Sequence, residues 1–138
     1  MDKWQQAYID VAHRFAELSS CERKKVGAII VKDNRIISIG YNGTPAGWDN
    51  VCEDEVKWPN GDVKFLHTKP EVIHAEQNAI ADCARRGAAC EGTIAYITHY
   101  PCIICARMLL AAGICEINYI EDYKNDLLVG LFCEQLGV

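Results

Sequence analysis

The chain has 138 residues, half of them hydrophobic and 24% charged, with a net charge of −5. Size and composition describe one globular domain over residues 1–138, with no apolar run near the roughly 20 residues that a bilayer span requires. The acidic balance argues against a general nucleic-acid binder, whose affinity rests on many Lys and Arg contacts to phosphate, but leaves Arg23-Lys24-Lys25 as a local basic run that suits one small anion.

In chain order, residues 2–18 place Trp4, Ala7, Tyr8, Val11, Ala12, Phe15 and Leu18 at helical spacing, which predicts an amphipathic helix. Val26–Val31 and Arg35–Ile39 are short β-branched runs separated by Asp33-Asn34, the pattern of a hairpin. From Tyr41 to about Val72 the chain is rich in Gly, Pro, Asn and Asp and reads as one long loop, a length that needs a function or a pin. Ala75–Arg86 reads as a helix closed by Gly87, Thr93–Thr98 as a strand, and Ile103–Ala112 as a helix ended by Gly113. Glu116–Ile120 reads as a strand and Asn125–Leu136 as a final helix. Two strand–helix–strand steps favour parallel pairing of the later strands, so a mixed sheet between helices is expected.

The N-terminal MDKWQQAYID lacks the pattern of a signal peptide, and a cytosolic protein is expected. Cytosolic thiols are kept reduced, so the eight cysteines point away from a disulfide framework. Two of them, Cys102 and Cys105, stand three apart after Pro101 at a predicted helix start. That spacing puts both sulfurs on one face, and a helix N-terminus favours the thiolate that a metal needs. A CxxC pair by itself also fits a redox site or a zinc ribbon. His74 and Glu76 open the preceding helix. Two residues on a helix differ by about 200° in direction, so His74 belongs at the helix entry and Glu76 inside the first turn. With one strand between them, both helix starts come to the same sheet edge.

His74-Ala75-Glu76 and Pro101-Cys102-Ile103-Ile104-Cys105 match the H-x-E…P-C-x-x-C signature of zinc nucleobase deaminases. Together with VGAIIV (26–31), GYNGTPAG (40–47), IHAEQNAI (73–80) and THYPCIIC (98–105), the chain resembles the cytidine and deoxycytidylate deaminase family from about Cys21 onward. The resemblance implies a cytidine-deaminase-like α/β/α sandwich. It implies zinc on His74, Cys102 and Cys105, a fourth position open to water, and Glu76 carrying protons to N3 and to the departing amine of a cytosine. It also implies dCMP as substrate, with dUMP and ammonia as products.

The same resemblance places Asn42 near the sugar and Tyr123 near the pocket mouth, while Arg23, with Lys25 second, is the candidate for the 5′-phosphate. It implies a homo-oligomer, commonly a hexamer, with Arg85 near a subunit contact. Regulation by dCTP and dTTP, with Mg²⁺ alongside the nucleotide effector, belongs to the same expectation. A second, structural zinc is expected to pin the long loop through Cys21, Cys52, His67 and Glu71. The family pattern sets its carboxylate one residue closer to His74 than Glu71, and Asp54 is an alternative. Two rival readings share the metal motif. A tRNA deaminase sits poorly with the acidic charge, and a non-catalytic zinc module gives a carboxyl at position 76 no purpose.

Overall fold

A computed structural model describes residues 1–138. Helix α1 spans Lys3–Ala16, with Asp2 and Gln5 forming a capping box at its start. Its buried face is Tyr8, Ile9, Ala12 and Ala16, while Trp4 and Leu18 remain exposed. The apolar stripe is therefore rotated from the one expected. Ile9 and Ala16 replace Trp4, Ala7 and Leu18, because the sheet contact selects one line of residues from a helix that is apolar over a wider arc.

Strands β1 (Gly27–Lys32) and β2 (Arg35–Tyr41) form the expected hairpin. Asp33 and Asn34 take positive φ of 49° and 60°, the turn geometry that matches strand twist. Strand β1 is central and buried on both faces. Ile29 and Val31 pack under α1 with Tyr8 and Tyr96, whereas Ala28 and Ile30 join the larger core on the opposite face. Gly27 is where α1 comes closest, and a Cβ there would meet the Ala12 carbonyl oxygen.

The segment 41–72 is not one loop. It contains a separate antiparallel pair, β3 (Glu53–Lys57) and β4 (Val63–Thr68). Its turn is made locally: Gly61 adopts φ +94°, and the Asn60 side chain accepts from the Asp62 amide at 3.0 Å. Most residues of both strands are exposed, so the pair carries no alternating apolar face to mark it. The sequence cue was the turn around Asn60-Gly61.

Helix α2 covers Ala75–Arg86 and ends at Gly87 in the left-handed conformation, as expected. Strand β5 (Ile94–His99), helix α3 (Ile103–Ala111), strand β6 (Glu116–Glu121) and helix α4 (Leu127–Leu136) follow. The four-stranded sheet has the order β2-β1-β5-β6, with β5 and β6 parallel and β1 antiparallel to both of its neighbours. Helix α1 covers one face; α2 and α3 cover the other through Ala79, Cys83 and Leu109. That is the expected three-layer α/β/α sandwich with a mixed sheet. No helix is long and apolar enough to cross a membrane.

Candidate active site and metal centre

His74 is the N-cap of α2, with extended backbone angles of φ −70° and ψ 154°. Its amide donates to Gln77 Oε1 at 3.0 Å, which fixes the helix entry and turns the imidazole off the helical path. Cys102 is likewise the N-cap of α3 and accepts from the Cys105 amide at 3.4 Å. Pro101 therefore precedes the cap and lies outside the first turn. Because β5 links the two helices, both N-termini meet at one end of the sheet.

His74 Nδ1 lies 3.2 Å from Cys105 Sγ and 3.5 Å from Cys102 Sγ. These three ligand atoms all fall within 4.8 Å of one another. A tetrahedral zinc with bonds of about 2.0 Å to nitrogen and 2.3 Å to sulfur holds such atoms about 3.5 Å apart. The donor set fits zinc in spacing as well as in softness. Hydrogen bonding to Cys105 and to His74 pulls the Cys102 thiol down to about 3, so this sulfur is a thiolate. Cys105 moves the opposite way, raised first by its hydrogen bond with Cys102 and then by burial. His74 is raised chiefly by its hydrogen bond to Cys102. A metal ion would take the imidazole neutral and both sulfurs as thiolates, displacing whatever protons the cluster holds.

Glu76 sits in the first turn of α2, with 5% of its surface exposed. Burial raises its pKa, and the nearby Cys102 adds to the rise. A carboxyl shifted upward in this way exchanges protons closer to neutral pH. It faces a cavity of ≈ 280 Å³ that it shares with His74 and Cys102.

Asn42 lines that cavity as expected, but its carboxamide is committed to the backbone. Nδ2 donates to the Lys24 carbonyl at 2.7 Å and Oδ1 accepts from the Val26 amide at 2.9 Å, so Asn42 fixes the wall. Arg23 also lines the cavity, and its Nη1 donates to Thr68 Oγ1 at 2.9 Å. Lys25 does not reach the cavity; it is exposed, and Lys24 takes its place on the wall. Tyr123 is at the wall, with Lys24 Nζ 3.1 Å above its ring centroid. Arg85 is exposed near the far end of α2, away from this cavity.

Of the four residues expected to hold a second zinc, Cys21 and Cys52 are brought together. Cys21 and Cys52 are joined to each other, with Cα atoms 5.2 Å apart. His67 is exposed on β4 opposite Asp54, and neither it, Asp54 nor Glu71 joins the two sulfurs in a metal-sized cluster. The loop is pinned by that bond and by Glu53, whose carboxylate accepts from the Glu22 and Arg23 amides at 3.0 Å each. The expectation from compartment, that these thiols stay apart, is corrected by the same contact.

His99 was missed. Its Nε2 lies 2.7 Å from Glu121 Oε2, and its Nδ1 lies 2.7 Å from Thr98 Oγ1, which in turn accepts from the Gly27 amide at 3.1 Å. Burial lowers the His99 pKa, with Lys24 adding to the effect, so the neutral ring accepts from Thr98 and donates to Glu121. This chain ties the ends of β5 and β6 together beside the pocket. The sequence signal was only a polar residue at the end of an apolar strand.

Two helix-start ligand sets on a mixed sheet, with a buried carboxyl beside them, define a zinc hydrolase centre of the nucleobase-deaminase type. Residues 2–121 match the family model described as the cytidine and deoxycytidylate deaminase zinc-binding region, and the chain belongs to that family. It is 41% identical to ComE operon protein 2 of Bacillus subtilis, over 98% of this chain and 68% of that protein. It is 36% identical to the human deoxycytidylate deaminase, over 90% of this chain and 68% of that one. Among solved structures, the dCMP deaminase of cyanophage S-TIM5 in complex with dCMP and dUMP aligns at a TM-score of 0.83 and 36% identity, covering 100% of this chain and 96% of that chain.

Proposed function

We propose that this chain deaminates dCMP hydrolytically to dUMP and ammonia, a step that supplies dUMP for thymidylate synthesis. The observation that carries the reading is the buried Glu76 carboxyl beside the His74–Cys102–Cys105 cluster, on a cavity whose wall also carries Arg23 and Lys24. Zinc bound by those three residues supplies the Lewis acidity that activates water at neutral pH. Glu76 takes a proton from the attacking water and delivers it to cytosine N3, which makes C4 electrophilic. The same carboxyl then carries a proton to the exocyclic amine, which leaves as ammonia. Net, one water is consumed and the 4-amino group is replaced by oxygen. His74 and Cys102, fixed as helix caps, present the cluster to the cavity, while Asn42 holds the wall segment 24–26.

Relatives named for deoxycytidylate deamination in phage, yeast and mammals support this substrate. A tRNA adenosine deaminase shares the fold at 24% identity and a TM-score of 0.58, a likeness of architecture alone. The reading extends to a homohexamer with Arg85 at a subunit contact, acting in the cytoplasm. It also extends to control by dCTP and dTTP with Mg²⁺.

The test is turnover of dCMP, CMP, deoxycytidine and tRNA by the zinc-loaded protein, each with and without dCTP. The expected result is dUMP formation from dCMP, faster than deamination of CMP or deoxycytidine, and no reaction on tRNA. Preferred reaction on tRNA, or equal rates on nucleotide and nucleoside, would overturn the assignment.

A further inference from the structure

We infer that Lys24 is the residue that selects a nucleotide over a nucleoside, by receiving the 5′-phosphate of the substrate. This rests on the dCMP reading and names the group within the same cavity that recognises the substrate's charged end.

Arg23 and Lys24 are the two Lys or Arg side chains on the cavity wall. Arg23 is held to the side of the cavity by one of its N–H donors, which bonds Thr68 Oγ1 at 2.9 Å. Its own amide donates to the Glu53 carboxylate, which also lines the cavity and places a negative charge on that side. An incoming phosphate meets repulsion there. Lys24 is half-buried where Arg23 is exposed, and no carboxylate stands within 4.0 Å of its ammonium, since none of the five ion pairs in the molecule includes it. The face of Tyr123, 3.1 Å from Nζ, holds the ammonium in place without neutralising it. Its backbone is equally fixed, because its carbonyl accepts from Asn42 Nδ2 at 2.7 Å.

A positioned, partly desolvated and unpaired cation suits a dianionic phosphate, because charge-assisted hydrogen bonds strengthen as water is excluded. The placement suits the substrate too. Glu76 is buried, while Tyr123, which carries Lys24 on its ring face and lines the same cavity, is 39% exposed. A nucleotide carries its reacting amine and its 5′-phosphate on different groups, and this one cavity offers a carboxyl for the first and a cation for the second. A nucleoside in the same pose leaves Lys24 without a partner, which is how a site rejects a ligand lacking the group it was built to bind.

The experiment compares kcat/KM for dCMP and deoxycytidine in zinc-loaded parent protein and in Lys24→Gln, Lys24→Arg, Arg23→Gln and Lys25→Gln, with zinc content measured for each. Lys24→Gln is expected to lower kcat/KM for dCMP by roughly 10- to 100-fold, mainly through KM, since a charge-assisted contact is lost. Turnover of deoxycytidine is expected to fall much less than that of dCMP, so that the preference between them collapses, and zinc content with a thermal melt shows that the variant folds. Lys24→Arg is expected to keep most of the nucleotide preference. Lys25→Gln removes the same charge one residue away, outside the cavity, and is expected to keep all of it. If the parent prefers dCMP and Lys24→Gln preserves that preference, or slows both substrates equally, Lys24 is not the selecting residue. The same holds if Arg23→Gln abolishes the preference while Lys24→Gln does not. A parent protein without preference for dCMP overturns the substrate reading itself, and the role of Lys24 with it.

Discussion

Glu76→Gln is expected to leave fold and zinc content unchanged while lowering kcat for deamination by on the order of 10²–10⁴-fold, the usual contribution of a positioned general acid–base. The carboxamide has nearly the same shape, so the burial at 5% exposure in the first turn of α2 is retained. What it lacks is a proton that can be taken up and given back. Burial raises the pKa of Glu76, and this places the group where both directions of transfer are accessible. Substrate binding is expected to persist, so the loss should appear in kcat and not in KM. Near-parent turnover by the Gln variant would remove Glu76 from the mechanism.

The second large effect concerns the metal. Cys102→Ala is expected to abolish activity together with zinc retention, measured by metal analysis after dialysis. Losing an outer partner of a metal ligand already costs roughly 10–100-fold in affinity, and losing a ligand itself costs more. The position adds a structural reason. Cys102 Sγ accepts from the Cys105 amide at 3.4 Å and caps α3, so its removal also loosens the turn that presents Cys105. Cys115→Ala, which alters an exposed thiol outside the cluster, should keep zinc and activity. Full zinc content in Cys102→Ala would contradict the ligand assignment.

The metal centre was legible in the sequence because its geometry is local. His74 and Glu76, two residues apart, had to straddle a helix entry, and His74 is indeed the cap with Glu76 inside the first turn. The layered fold followed from the hairpin at Asp33-Asn34 and the alternation of strands with helices from α2 onward. The β3–β4 pair was illegible because its strands bury little on either face. The pocket wall was illegible for a different reason. In Arg23-Lys24-Lys25 no local pattern says which cation turns inward; that is decided by Asn42, 18 residues from Lys24, bonding to the backbone of the segment. His99 depends similarly on Glu121, which β6 brings alongside β5. The expected second zinc came from resemblance alone; in the fold Cys21 and Cys52 stand together, while His67 lies on an exposed strand.

The central claim, that a zinc held by His74, Cys102 and Cys105 serves the deamination of dCMP, is tested most directly by a zinc titration of metal-stripped protein. Conversion of dCMP to dUMP and ammonia is followed at each step of metal added. Activity is expected to be absent without metal and to rise in proportion to bound zinc, reaching its maximum at one zinc per chain, the capacity of the one three-ligand cluster in the fold. Full turnover by the stripped protein, or intact dCMP in the presence of fully zinc-loaded chain, would contradict the account.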